Sequence, residues 1–281
     1  DSEGLCYATL NLPDYMNTDI IKQGFMEDYI EPKRDERYFL GVTPNIYRLT
    51  GFQKFKSIRQ KLAVNGALNM PEGYTALVSL PTGGGKSLIT QTMAYQKKDG
   101  LTITVVPTVS LAMDQVRVAK DNIKVAMESE IACYYSDLSK EEKRSIIDRI
   151  KNRKLRLLFI SPEALIKNEV FKQVIDVAND SGYLRNLIID EAHIVIEWGN
   201  FFRVDYQCLE PWRNNLYEKN SKLKTVLLSA TYEKNTVKIL QSMFATGDKW
   251  IEIRCDALRR EPRFELVTAC LLYTSPSPRD A

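Results

Sequence analysis

The sequence predicts an α/β fold, a mostly parallel sheet with helices on both faces. Three observations lead there. Five short apolar runs punctuate the middle of the chain, helix-like stretches alternate with them, and a distinctive polar motif follows each run. Near-continuous runs rich in Leu, Ile, Val and Thr are typical of strands buried on both faces. Strands that alternate with helices make a parallel sheet covered by those helices.

The runs span residues 74–80, 101–106, 155–160, 184–189 and 223–228. Each is bounded by polar or turn residues. The spacing predicts helices over 87–98, 110–120, 140–151 and 168–179. Further strands are expected at 130–134 and 250–253, and no internal repeat is present.

The chain has 281 residues, enough for one or two domains at ~150 residues each. Hydrophobic residues make up 44% and charged residues 27%, which excludes a disordered or membrane-embedded chain. No apolar run approaches the ~20 residues that span a bilayer, and no signal-peptide pattern is present. A net charge of +3 is too small to argue for nucleic acid by itself. Five cysteines without a CxxC pair fit a reducing compartment, and a cytoplasmic location is the expectation. The single histidine, His193, excludes a multi-histidine metal centre.

Ligands on parallel sheets sit beyond the carboxyl ends of the strands, so the loops after the apolar runs are where chemistry is expected. Leu80 to Ser87 reads LPTGGGKS. Gly83, Gly84 and Gly85 let the backbone turn its amides toward a phosphate chain, with Thr82 beside them. The following helix adds its positive end. Lys86 supplies a cation for the β- and γ-phosphates, and Ser87 a hydroxyl for Mg²⁺. The strict GxxxxGK[ST] pattern fails only at its leading glycine, which is Leu80 here.

Asp190-Glu191-Ala192-His193 follows the fourth apolar run directly. Adjacent carboxylates at a strand end can divide the work of nucleotide hydrolysis. Asp190 would hold Mg²⁺ and Glu191 would polarise the attacking water. His193 would sit near the γ-phosphate and relay its state.

LPTGGGKS, DEAH and Ser229-Ala230-Thr231, each after a strand and in this order, resemble a superfamily 2 helicase of the DEAH type. Val106 to Val116 (VPTVSLAMDQV), Ile160 to Glu163 (ISPE) and Glu197 to Tyr206 (EWGNFFRVDY) resemble segments of the RecQ branch. A DpdF-like subgroup from bacterial DNA-modification or defence clusters is a further resemblance. The chain departs from the RecQ pattern at Asn200, usually His, and in the wider spacing of Phe55 and Lys56 from Gln60.

The resemblance covers residues 47–264 and implies a RecA-like P-loop NTPase domain, the first motor domain of an ATP-dependent DNA helicase. ATP and Mg²⁺ are the implied ligands, with Gln60 in the place of an adenine-reading glutamine. Ser229 and Thr231 would couple the nucleotide site to the DNA surface. Single-stranded or partly duplex DNA is the implied partner. Trp198, Phe201 and Phe202 would stack unpaired bases at ~1–3 kcal/mol each, with Arg203 on a phosphate. Thr108, Ser110 and Ser161 would donate hydroxyls to the sugar-phosphate backbone, or Ser110 would cap a helix.

Residues 46–265 are expected to form the motor domain, after an upstream remnant at 1–45. From residue 266 the tail is expected to be non-native. Cys270 to Asp280 (CLLYTSPSPRD) back-translates letter for letter into DNA resembling a transposon-end sequencing adapter. Arginines from a second RecA-like domain, beyond this chain, would complete the site. An arginine finger is worth ~10³–10⁵ in rate, so the chain alone is expected to be nearly inactive. The alternatives are a nucleic-acid-stimulated ATPase or remodeller without unwinding, a non-catalytic clamp, and a P-loop kinase. The kinase reading leaves SAT and the tryptophan loop unexplained.

Overall fold

The computed structural model describes residues 40–196 and 204–256. The expected upstream remnant and non-native tail fall outside these residues, apart from positions 40–45. One sheet of seven parallel strands runs through the described part, in the order β3-β4-β2-β5-β6-β1-β7. The strands are β1 (Thr75–Ser79), β2 (Leu101–Val105), β3 (Ile131–Tyr134), β4 (Leu157–Ile160), β5 (Leu184–Ile189), β6 (Lys224–Ser229) and β7 (Trp250–Arg254). Five fall on the apolar runs and two on the further strands expected at 130–134 and 250–253, with ends shifted by a residue or two. The strand expected from Leu155 starts at Leu157, with Arg156 before it donating its backbone amide to Glu130 O (2.8 Å).

Side-chain alternation along the buried strands builds two cores. Leu77, Leu158, Ile160, Leu187, Ile189 and Leu227 face one side. They pack under helices α5 (Lys140–Lys151), α6 (Pro162–Lys167), α7 (Glu169–Asp180), α9 (Leu209–Lys219) and α10 (Lys234–Phe244). Ala76, Val78, Ile188, Val226 and Leu228 face the other, beneath α1 (Pro44–Thr50), α2 (Ile58–Asn69) and α3 (Ser87–Tyr95). Leu157 and Phe159 continue that face beneath α4 (Val109–Asn122). The short α8 (Val204–Gln207) precedes α9. Each fully buried aliphatic side chain contributes ~1.5–3 kcal/mol relative to exposure, so the central strands dominate stability.

The helices start where the sequence supplies caps. Thr43, Ser57, Thr108, Ser139, Ser161 and Asn168 each accept a backbone N–H from the first turn of α1, α2, α4, α5, α6 and α7, respectively. Each such cap contributes ~1 kcal/mol. Helix α3 stops at Tyr95, short of the expected Lys98, and the Arg156 guanidinium takes up the freed carbonyls of Ala94 and Lys97. The apolar pattern of the sequence does not announce helices α1, α2, α6, α9 and α10, although α1, α2 and α6 have the caps just described.

One polar tether crosses the core. The Arg213 guanidinium on α9, 1% exposed, donates to the hydroxyls of Thr75 on β1 (3.0 Å), Thr225 on β6 (3.0 Å) and Thr246 (3.2 Å). It also lies over the Tyr217 ring. This holds the amino ends of β1 and β6 together, the two strands whose other ends carry the phosphate loop and the SAT segment.

Candidate nucleotide-binding site

The register of the sheet brings the motifs together. Ser79 pairs with Ser229, and Ile189 pairs with Leu227, so β1, β6 and β5 end at nearly one level. Strand β6 lies between the other two. The phosphate loop and the DEAH segment are therefore two strand spacings apart, ~10 Å, with SAT between them. Lysine is long enough to close that gap. Lys86 Nζ donates to Glu191 Oε1 at 2.7 Å and lies 3.8 Å from Asp190 Oδ1.

The glycine turn requires its glycines. Gly83 and Gly85 have φ of 77° and 89°, where L side chains are strained. A Cβ on Gly84 would lie 2.7 Å from Pro81 O, the carbonyl that accepts the Gly84 amide at 2.8 Å. Lys86 and Ser87 then enter α3, whose body from Leu88 to Ala94 is buried between sheet and helices. The buried body anchors the half-exposed amino end, which keeps the loop amides in place for an anion. Thr82 is exposed on the loop.

Gln60 packs directly on this turn. Its side-chain oxygen accepts the Lys56 backbone N–H at 2.7 Å, and its Nε2 reaches Gly85 O at 3.4 Å. A Cβ on Gly85 would lie 2.1 Å from that nitrogen. Gln60 is 3% exposed, so its position is set by the protein before any ligand arrives.

The acidic pair has two different environments. Asp190 is 8% exposed, accepts the Glu191 amide at 3.0 Å and donates its own amide to Val105 O at 2.8 Å. Burial raises its carboxyl above the usual range, and the Glu191 charge adds to this, while the Lys86 ammonium opposes it. Glu191 is more open and sits at φ 50°, a strained backbone for a non-glycine residue. That conformation turns its carboxylate back over the phosphate loop.

Behind the pair, His193 Nδ1 lies 2.8 Å from Ser229 Oγ and 3.4 Å from Glu191 Oε2. Ser229 Oγ is 3.0 Å from Thr231 O and 3.5 Å from Glu191 Oε2. A continuous polar chain thus runs from Lys86 through Glu191 and Ser229 to the start of the SAT loop. Thr231 itself is exposed.

Tyr232 has no signature in the sequence yet belongs to this neighbourhood. Its hydroxyl is buried without a hydrogen-bond partner, and burial with the nearby Asp190 and Glu191 charges pushes its phenol well above the usual range. It is a fixed neutral dipole beside the carboxylates.

The remaining strand tips continue the row. Val106 N donates to Ile160 O at 3.0 Å, so the loops after β2 and β4 stand side by side next to DEAH. Thr108 and Ser110 are exposed there. Thr108 is the cap of α4, accepting the Leu111 amide at 3.2 Å, so the capping role weighed for Ser110 belongs to its neighbour. Ser161 differs from the expectation of an open hydroxyl. It is 4% exposed and caps α6. Trp198, Phe201, Phe202 and Arg203 lie outside the described residues. No helix among the described residues is long and apolar enough to cross a membrane.

Residues 57–239 match the DEAD/DEAH box helicase family. The chain is 32% identical over 165 residues to the ATP-dependent DNA helicase RecQ of Synechocystis sp., covering 58% of this chain and 32% of that protein. It is 32% identical over 198 residues to the probable ATP-dependent DNA helicase RecS of Bacillus subtilis, covering 70% and 36%. With the ATP-dependent helicase SGS1 of Saccharomyces cerevisiae the identity is 37% over 169 residues, covering 59% and 11%. The chain thus spans about a third or less of the length of these curated relatives. The DUF1998 helicase MrfA bound to DNA shares the fold at a TM-score of 0.56 and 16% identity, over 75% of this chain and 29% of that one. Mss116p bound to ssRNA and AMP-PNP does so at 0.55 and 17%, over 79% and 46%. These structures show the RecA-like architecture. With a family match over 183 of 281 residues and the phosphate loop, DEAH and SAT assembled at adjacent strand ends, this chain belongs to the DEAD/DEAH box helicases.

Proposed function

We propose that this chain is the ATP-binding motor domain of a RecQ-like DNA helicase, in which ATP hydrolysis drives translocation on single-stranded DNA. The observation that carries the reading is the Lys86–Glu191 contact, which joins the phosphate loop to the DEAH segment across β6.

The contact defines a resting state and its exchange. The backbone amides of 83–87 and Lys86 Nζ hold the β- and γ-phosphates. Lys86 leaves Glu191 for the phosphate oxygens as ATP enters. Glu191 is then free to accept a hydrogen bond from the water that attacks the γ-phosphorus, yielding ADP and phosphate. Gln60, already braced on Gly85, offers its amide to the adenine edge.

The residues present fit Mg²⁺. Asp190 is a buried carboxylate with Lys86 as its counter-charge only at 3.8 Å, Ser87 adds a hydroxyl, and both are hard oxygen donors of the kind Mg²⁺ takes alongside substrate phosphates. Bound there, the ion would neutralise charge on the β- and γ-oxygens.

His193 and Ser229 carry the state of the γ-phosphate toward the loops at Thr231, Thr108 and Ser110, where DNA would lie. The segment containing Trp198 and Phe202 would add base stacking. Arginines from a second RecA-like domain would complete charge stabilisation.

Equilibrium binding of a fluorescent ATP analogue to this chain, with and without single-stranded DNA, tests the reading. DNA should tighten the analogue, and Lys86→Ala should abolish its binding. Tight analogue binding indifferent to DNA, with phosphate passed to a small-molecule acceptor, would establish the kinase alternative instead.

A further inference from the structure

A second charged cluster lies at the other end of the sheet. The amino ends of β5 and β6 and the tail of α3 flank a shallow, solvent-open cleft lined in part by Glu72, Lys97, Gly100, Arg185, Lys222 and Lys224. A five-residue strand rises ~16 Å, so this cleft is separated from the phosphate loop by the thickness of the sheet along β1.

Its charges do not balance. Four cations face one carboxylate, and the only ion pair is Lys97 with Glu72, at 2.6 Å. Among the described residues, the ammonium groups of Lys222 and Lys224 and the guanidinium of Arg185 form no hydrogen bond or ion pair. Lys224 is nevertheless 9% exposed, and Arg185 Nε is buried without a partner. Lys97 and Lys222 are exposed, so the buried part of this unpaired charge lies on the Lys224 stem and Arg185 Nε, where a counter-ion is worth most. Burial and the Lys97 charge lower the Lys224 ammonium below its usual range, and the surrounding cations depress Glu72. The shape is set as well. A Cβ on Gly100 would lie 2.7 Å from Arg185 Cγ, so glycine leaves the room in which the arginine stem rests.

We propose that this cleft binds an oxyanion of the phosphate class, held by the Arg185 fork and the Lys222 and Lys224 ammonium groups, with Lys97 at its rim. A planar guanidinium beside point-charge ammoniums matches a tetrahedral oxyanion, which can accept from several donors at once. The anion is either free phosphate or a phosphodiester of nucleic acid.

Inorganic phosphate is titrated into the Lys86→Ala chain, where the nucleotide site has lost its cation, and binding is read from ³¹P line broadening. Saturable binding is expected. Arg185→Gln and Lys224→Met, each added to Lys86→Ala, should weaken it about tenfold or more, the worth of one charge-assisted hydrogen bond. Gly100→Ala should do the same with every charge retained, because it displaces Arg185. A thermal melt on each variant verifies folding, and Lys224→Met should melt no lower than its parent. Displacement of phosphate by a short single-stranded DNA would identify the phosphodiester source, and its failure the free anion. Absence of saturable binding, or affinity unchanged by both Arg185→Gln and Lys224→Met, would overturn the proposal.

Discussion

Gly85→Ala imposes two costs that can be separated. The first is backbone strain, because an L residue at φ 89° costs ~1–2 kcal/mol. The second is the loss of Gln60 from its seat. The new Cβ would stand 2.1 Å from Gln60 Nε2, so the amide must swing away and give up the Lys56 N–H bond at 2.7 Å and the longer Gly85 O contact. Two neutral hydrogen bonds in a buried setting add about 1–2 kcal/mol. The total of about 2–4 kcal/mol corresponds to a melting temperature lower by about 4–16 °C for a domain of ~200 residues. Gly83→Ala carries only the strain, since no atom lies within 4 Å of its Cβ position. The assay is a double-mutant cycle by denaturant unfolding. In a Gln60→Ala background, Gly85→Ala should cost only the strain, giving a coupling of about 1–2 kcal/mol between the two sites. Equal costs in both backgrounds, or a Gly85→Ala cost no larger than that of Gly83→Ala, would refute the account of Gln60 as a side chain braced by the phosphate loop.

Asp190→Asn should weaken Mg²⁺-dependent nucleotide binding, as the proposed site requires, while stabilising the fold at neutral pH. Burial raises the Asp190 carboxyl, so the folded chain holds its proton more tightly than the unfolded chain, and the ionised form is a cost that fades as pH falls. Unfolding measured from about pH 7 down toward pH 4 should show the variant and parent converge; a gap that widens on acidification would contradict this. Ser229→Ala removes the 2.8 Å contact to His193 in a fully buried position and should cost ~1–2 kcal/mol by thermal melt. The same variant should lose the DNA-dependent gain in nucleotide binding while retaining most of its DNA-free affinity; a proportionate loss of both would argue against a coupling role.

The sheet was legible because its strands are buried on both faces and read as unbroken apolar runs. The phosphate loop, DEAH and SAT were legible because their chemistry needs particular residue types in consecutive positions. Helix α2 was not, and Gly66 shows why. Glycine weakens a helix by ~1 kcal/mol, yet α2 approaches β7 so closely that a Cβ there would lie 2.7 Å from Ile253 Cδ1 and displace that side chain. Only the tertiary contact explains the residue. The same applies to Arg213, whose three threonine partners lie on separate segments, and to the basic cleft, assembled from positions between 72 and 224. Thr108 and Ser110 are two residues apart, and which one caps α4 depends on a two-residue shift in where the helix starts. Tyr232 was missed because a lone tyrosine after SAT resembles ordinary core until the carboxylates beside it are seen.

A crystal of the chain grown with Mg²⁺ and a non-hydrolysable ATP analogue is the most direct measurement. Lys86 Nζ should have moved from Glu191 to the phosphate oxygens, with the metal between Ser87 and Asp190 and the adenine against Gln60. An analogue bound elsewhere, with the 2.7 Å Lys86–Glu191 pair intact, would contradict the account.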